Sequence, residues 1–84
     1  MNREQREIYI QKELLKLLEE SGGYLLPDRA FYAQACMTVE PPPLRSEYDA
    51  AIRHLQSNLW ITGVLDDFKQ PKWKLTDAGR AVLA

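Results

Sequence analysis

The apolar residues of this 84-residue chain change their spacing near residue 59, and this change limits the folds that are open to it. Before that point they recur every three or four residues, which is the period of an amphipathic helix. After it, aromatic and β-branched residues gather in two short runs that are typical of strands. The chain is therefore predicted to be mainly α-helical with one small β-hairpin, an α+β fold.

Glycine and proline divide the helical part into separate helices. The first helix is predicted over 2–21, and Gly22 with Gly23 ends it because glycine readily takes the left-handed conformation found at helix C-termini. Residues 2–7 include no apolar side chain, so this first turn and a half is predicted to project from the fold or to fray. The predicted apolar face comprises Ile8, Ile10, Leu14, Leu15, Leu17 and Leu18.

Two further helices are predicted before the hairpin. A short apolar run at 24–26 leads into a helix over 28–37, with Asp28 as its cap or first-turn acid. The prolines at 41–43 end that helix, and a third helix is predicted over 44–58 with a cap within residues 46–49. The predicted core face of the third helix comprises Leu44, Tyr48, Ala51, Ile52, Leu55 and Leu59.

The last third of the chain is predicted to form strands at 60–65 and 72–76 around a polar turn. Lys72 and Lys74 alternate with Trp73, so both lysines are predicted to face solvent while the tryptophan enters the core. Thr76 then caps a final helix over 77–83.

Composition and charge narrow the class of protein. A chain of this length forms one domain, here residues 1–84. The formal net charge of −1 argues against a strong, indiscriminate nucleic-acid binder. A single cysteine favours a reducing, cytoplasmic location. Since no apolar run approaches the ~20 residues that span a bilayer, and the polar start does not resemble a secretion signal, a membrane partner is not expected.

Residues that carry chemistry are sparse. The four glycines are scattered and form no phosphate-binding loop, and one cysteine with one histidine is too few for a metal site. Cys36 is predicted to be a small apolar residue of the second helix, and His54 a surface residue of the third. We therefore predict no enzymatic activity, no metal and no cofactor.

Four local sequences together resemble the winged helix-turn-helix superfamily of small bacterial regulators. They are GGYLL at 22–26, SEYDAAIRHL at 46–55, LWITGV at 59–64 and WKLTDAGR at 73–80. The resemblance covers nearly the whole chain and implies the order helix, short strand, helix, helix, strand, strand, helix. The connection at 38–43 is longer than the family's usual turn. It is predicted to be a rigid spacer, and the alternative is a site for a partner that binds proline-rich peptides.

The resemblance implies a DNA-binding transcriptional regulator in the cytoplasm. In that family, the helix at 44–58 enters the major groove of double-stranded DNA and the wing at 60–76 contacts its backbone. Arg53 is the one base-facing candidate able to make a bidentate contact with guanine. The candidates for base contact are Ser46, Ala50, Arg53, His54 and Ser57. The candidates for phosphate contact are Arg45, Lys69, Lys72 and Lys74.

A second function stays open, because a fold does not fix a function. Residues 1–43 hold five basic and seven acidic side chains, and residues 44–84 hold six basic and five acidic, so the second half nets only +1. This near-neutral charge suits a protein–protein interaction module that uses Phe68 at the hairpin tip or the first helix. Tyr9 on the first helix is a candidate homodimer contact, and the alternative is that it is simply an exposed tyrosine.

Overall fold

The computed structural model describes residues 2–84 as four helices and a three-stranded antiparallel sheet, which confirms the α+β class. The elements in chain order are α1 (Arg3–Glu20), β1 (Leu26–Pro27), α2 (Asp28–Thr38), α3 (Arg45–Ser57), β2 (Ile61–Leu65), β3 (Pro71–Leu75) and α4 (Asp77–Leu83).

Helix α1 begins with a capping box that joins its first turn. The Asn2 side chain accepts a hydrogen bond from the Gln5 amide at 2.8 Å, and the Gln5 side chain accepts one from the Asn2 amide at 3.2 Å. Beyond the cap, Arg6 is ion-paired to helix α3. The prediction for residues 2–7 was therefore wrong for Arg6, which is tied to α3, and the segment is helical and not frayed; its other residues are exposed.

The core lies between α1, the other helices and one face of the sheet. Ile8 stays 45% exposed, so its place on the predicted apolar face of α1 was wrong, and Tyr9 packs half-buried against the core. Tyr9 is therefore not the exposed tyrosine that one interpretation of the sequence offered. The buried core comprises Ile10, Leu14, Leu15, Leu17, Leu18, Phe31, Ala35, Val39, Tyr48, Ala51, Ile52, Leu55, Ile61, Trp73 and Leu75.

Helix α3 is shorter at both ends than the sequence predicts. Leu59 has a φ of 60° and lies one residue beyond the helix C-cap. The Leu59 amide donates to the Gln56 carbonyl, and the Trp60 amide donates to the Leu55 carbonyl. These two bonds form a Schellman motif. At the other end Leu44 is the N-cap residue. Since both lie outside the helix, they are 72% and 67% exposed, and their predicted place in the core was wrong.

The N-terminal cap of α3 also differs from the prediction. The helix begins one residue before the predicted 46–49 cap, at Arg45, and the Glu47 carboxylate accepts a hydrogen bond from the Leu44 amide at 2.9 Å. Glu47 thus supplies the acidic half of a capping box, whereas Ser46 is exposed inside the first turn.

The sheet has the order β1-β3-β2, and Trp73 of β3 lies opposite Leu26 on one side and Gly63 on the other. Trp73 is buried, as predicted, while Lys72 is half-buried and Lys74 is exposed. A Cβ on Gly63 would lie 2.6 Å from the Trp73 ring. The missing side chain of Gly63 therefore lets the indole lie across strand β2.

Helix α4 is held close to the end of α3. The Thr76 hydroxyl caps α4 by accepting from the Gly79 amide at 3.0 Å and donates to the Leu59 carbonyl at 2.6 Å. Gly79 is buried, and a Cβ there would meet the backbone carbonyl oxygen of Trp60 and, at 2.7 Å, the Leu75 side chain. Only glycine fits at this contact between α4 and the start of the hairpin.

Gly79→Ala is expected to lower the free energy of unfolding by about 1–3 kcal/mol, because the methyl group overpacks a backbone contact. Helix propensity alone predicts the opposite sign, since glycine in a helix costs roughly 0.5–1 kcal/mol relative to alanine. Urea titration of Gly79→Ala beside the wild type measures the sign. Ala78→Gly, at an exposed position of α4, is the control for propensity. A stabilised Gly79→Ala variant would contradict the close contact.

Candidate nucleic-acid interface

The five residues that were predicted to face DNA bases are all exposed along helix α3. Their spacing places them within about 100° around the helix axis. They form a single exposed face of α3, named here the α3 face, which comprises Ser46, Ala50, Arg53, His54 and Ser57.

A groove between α1 and α3 borders this face. Its volume is about 360 Å³, and Ser46, Ala50 and His54 lie along its α3 wall, opposite Arg3 and Arg6 of α1. Arg53 and Ser57 do not line the groove. The N-terminal part of the α3 face is therefore flanked by α1, whereas Arg53 and Ser57 lie outside the groove.

An ion pair that sequence reasoning missed joins the two walls of the groove. The Arg6 guanidinium donates to the Glu47 carboxylate from Nε at 3.0 Å and to the Pro41 carbonyl at 2.9 Å. The Arg6 hydrogen bond and the Leu44 amide together hold the pKa of Glu47 below its ordinary value. No sequence signal pairs Arg6 with Glu47, since 41 residues separate them.

The proline segment is held by hydrogen bonds to its carbonyl groups. Besides the bond from Arg6 to Pro41, the Tyr32 hydroxyl donates to the Pro43 carbonyl at 3.0 Å, and Pro43 is buried. These contacts tie the connection to α1 and α2, which favours the rigid-spacer interpretation.

One carboxylate joins α2, α3 and the sheet. Oδ1 of Asp28 accepts from the Tyr48 hydroxyl at 2.8 Å and from Nε1 of Trp73 at 3.0 Å, and Oδ2 accepts from Arg45 at 2.6 Å. Burial raises the pKa of Asp28, but the three donors lower it by more, so that the pKa lies below its ordinary value. We call Asp28, Arg45, Tyr48 and Trp73 the Asp28 cluster.

Arg45, predicted to contact phosphate, is already bound within the protein. Its guanidinium pairs with Asp28 and, at 3.2 Å, with Asp49, and it lies about 5 Å above the rings of Tyr32 and Tyr48. Two carboxylates thus share this charge, and Arg45 fixes the start of α3 against α2. Its contact with phosphate stays a prediction.

The tip of the β2–β3 hairpin, the predicted wing, is a tight turn. Oδ1 of Asp66 accepts from the amides of Phe68 and Gln70 at 2.9 and 2.8 Å, and the Lys69 amide donates to the Asp66 carbonyl at 2.9 Å. Lys69 has a φ of 60°, as in a three-residue hairpin loop that ends in a left-handed residue. This turn holds Phe68 at the apex with 83% of its surface exposed.

The cations without an ion pair concentrate around α3 and the hairpin. Within residues 2–84, the basic side chains in ion pairs are Arg3, Arg6, Lys16, Arg45 and Arg80. Those outside ion pairs are Lys12, Arg29, Arg53, Lys69, Lys72 and Lys74. Nearby acids are engaged: Glu47 by Arg6, Asp49 by Arg45, and Asp66 by backbone amides. Asp67 is exposed beside them without such a partner.

Metal-binding clusters and membrane-spanning helices are both absent from residues 2–84. Within residues 2–84, His, Cys, Asp and Glu side chains form no group of three or more that could hold a metal ion. Among the helices described, none has the length and apolar character needed to cross a membrane. No protein-family model, curated protein or solved structure matches the chain.

Proposed function

We propose that this chain is a winged-helix DNA-binding domain of a cytoplasmic transcriptional regulator without enzymatic activity. Helix α3 enters the major groove, and the β2–β3 hairpin acts as the wing on the phosphate backbone. The observation that carries this proposal is the placement of free cations. Arg53 lies on the α3 face, while Lys69, Lys72 and Lys74 lie on the hairpin, all outside ion pairs within residues 2–84.

Ion pairing reduces part of the negative charge near the proposed DNA contacts. Arg6 compensates Glu47, which therefore opposes an incoming phosphate less than its charge suggests, whereas Asp49 shares the single charge of Arg45 with Asp28. Cations outside ion pairs supply the counterion release that drives binding to DNA. Four cations outside ion pairs thus lie on α3 and the hairpin of a chain whose total charge is −1.

The groove beside α1 separates residues of the α3 face that lie next to α1 from those that lie away from it. Ser46 and Ala50 approach α1 across the groove, whereas Arg53 and Ser57 do not line it. We therefore assign the main base contact to Arg53, whose fork of donors matches the O6 and N7 acceptors of guanine. The hairpin lysines supply contacts that do not depend on sequence.

Arg53→Ala is expected to reduce discrimination between target and mixed-sequence duplexes by about 1–3 kcal/mol. Lys72→Ala is expected to weaken binding to all duplexes alike and to lower the salt slope by about one. Fluorescence anisotropy titrations at several salt concentrations, with a target selected from random duplexes, measure both effects. Lys12→Ala removes an equivalent exposed charge from α1 and is the matched control, expected to bind as the wild type does.

Two outcomes would contradict the proposal that this chain binds DNA. One is a flat titration with every duplex at low salt. The other is binding that Arg53→Ala and Lys72→Ala leave unchanged, because the contact surface would then lie elsewhere.

A protein–protein interaction module is the second candidate, and the exposed Phe68 favours it. An aromatic ring that is 83% exposed on a tight turn is a typical anchor for a partner pocket. In that case Phe68→Ala abolishes capture of the partner, while duplex DNA gives no response. Lys12→Ala again serves as the surface control.

A further inference from the structure

Strand β2 is an edge strand that lacks the usual protection against pairing. The sheet order β1-β3-β2 leaves its outer side without a neighbour among the described residues. From Thr62 to Leu65 the strand is exposed, and its sequence ITGVL includes no charged residue and no proline. Proteins normally blunt such edges with lysine, proline or a bulge. An open edge of this kind is suited to pair with another strand.

The hydrogen-bonding groups of this edge are self-complementary. The bonds from Asp66 to Gln70 and from Thr76 to Trp60 bracket the β2–β3 ladder, so alternate residues between them turn towards β3. The residues that present their amide and carbonyl groups outward are Ile61, Gly63 and Leu65. In an antiparallel pair of β2 strands centred on Gly63, Ile61 lies opposite Leu65 of the second copy, and all outward groups are satisfied.

We propose that two copies of this chain join edge to edge through β2, antiparallel and around a two-fold axis at Gly63. The product is a continuous six-stranded sheet. This inference goes beyond the proposed function and does not depend on DNA.

The same register gathers exposed apolar side chains that the monomer leaves in water. Val64 and Leu65 are 50% and 64% exposed on β2. In the proposed register Leu65 lies opposite Ile61 of the other copy on one face, and Val64 lies opposite Thr62 on the other face. Pairing therefore covers part of the exposed Leu65 and Val64 side chains, one on each face of the joined sheet.

The charges of the two copies do not oppose this contact. Lys72 and Lys74 lie on β3, so they are separated from their counterparts by about three strand spacings, roughly 14 Å. That distance exceeds the Debye length of about 8 Å at physiological salt, so their repulsion is largely screened. No side chain of β2 itself carries a charge.

The test compares Val64→Glu with wild type by sedimentation equilibrium, without DNA, from micromolar to millimolar concentration. In the proposed dimer the two new carboxylates lie on a diagonal about 7–8 Å apart, while in the monomer each faces Lys72. We expect a weak wild-type dimer and at least about a tenfold weaker one for Val64→Glu. Met37→Glu adds the same charge at an 85% exposed site on α2 and is expected to leave the dimer unchanged.

A cross-linking experiment checks the register. In a Cys36→Ser background, Thr62→Cys and Val64→Cys chains are mixed, because Thr62 lies opposite Val64 of the second copy. A non-hydrogen-bonded pair has a Cα separation of about 4.5 Å, which a disulfide spans. We expect the mixed disulfide to form far faster in the mixture than either variant forms one alone.

Each other outcome overturns the proposal. A wild-type chain that stays monomeric at millimolar concentration excludes the contact. A dimer that tolerates Val64→Glu uses another surface, helix α1 included. Assemblies larger than a dimer, or equal cross-linking in all samples, indicate strand pairing without this register. The proposed function is unaffected by any of these results, since DNA titration is a separate measurement.

Discussion

Asp28→Ala is expected to lower the free energy of unfolding by about 2–5 kcal/mol. The Tyr48 hydroxyl and the Trp73 indole N–H both donate to Oδ1 of Asp28, and both residues are buried. Alanine leaves these two donors without their acceptor, and a buried donor left unpaired costs about 1–3 kcal/mol. Arg45 adds little to this loss, because its half-exposed side chain regains water and keeps Asp49.

Asp28→Asn is the matched control for this prediction. An asparagine oxygen in place of Oδ1 still accepts from Tyr48 and Trp73, while the amide nitrogen replaces Oδ2, so that Arg45 loses this acceptor and the charge and turns to Asp49 and water. We therefore expect a loss of only about 1 kcal/mol or less, as for a partly exposed ion pair. Denaturant unfolding followed by tryptophan fluorescence measures both variants. Equal losses for alanine and asparagine would show that charge, and not the buried donors, accounts for the role of Asp28.

The Asp28 cluster makes the free energy of unfolding depend on pH. The folded-state pKa of Asp28 is lower than its unfolded value, so its contribution is present above the unfolded pKa of about 4 and is lost as pH falls through the folded pKa. Glu47 acts in the same direction because Arg6 lowers its pKa. In acid titrations of stability, Asp28→Asn is expected to lose less stability than the wild type below pH ~4, with the Glu47 share remaining. An acid dependence as steep as that of the wild type would contradict the lowered pKa.

The elements of this fold could be predicted from sequence because they depend on local patterns. Each element is indicated by residues only a few positions apart in the sequence. The patterns are the apolar spacing of the helices, the glycines after α1 and the alternation around Trp73. The ends of α3 were predicted less well. Leu59 continues the apolar spacing of the helix, which predicts that the helix includes it. The chain instead leaves the helix at Leu59 in a left-handed conformation, which glycine usually adopts at this position.

The interior of the candidate site could not be predicted for a different reason. The bonds of Asp28 to Arg45, Tyr48 and Trp73 span 17, 20 and 45 residues, so they exist only once the helices and sheet have come together. Sequence reasoning placed Asp28 correctly in the first turn of α2, yet gave it only a local role. The exposed positions of Arg53 and Ser57 were predicted correctly, because the helical period alone determines which residues of α3 lie on the same face.

Trp73→Ala is expected to cost about 3–5 kcal/mol of unfolding free energy, the range for a buried aromatic side chain replaced by alanine. Trp73 is buried, its ring fills the space that Gly63 leaves open on β2, and its N–H is bound to Asp28. Trp73→Phe keeps a ring over Gly63 but loses the N–H donor, and we expect a smaller loss for it. If Trp73→Ala unfolds at the same urea concentration as the wild type, the indole is not part of the core.

Combining Asp28→Ala with Trp73→Ala tests whether the two residues stabilise the fold through their hydrogen bond. Once Trp73 is alanine, Asp28 has one donor fewer to satisfy, so removing Asp28 orphans only Tyr48 among the buried donors. The double variant Asp28→Ala, Trp73→Ala is therefore expected to lose less than the sum of the single losses, by about 0.5–3 kcal/mol. Because the double variant is close to unfolding, a cycle of Trp73→Phe with Asp28→Ala, in which each change removes one partner of this hydrogen bond, measures the same coupling on a milder background. Additive losses in both cycles would mean that the indole and the carboxylate stabilise the fold independently, and that their hydrogen bond does not couple α2 to the sheet.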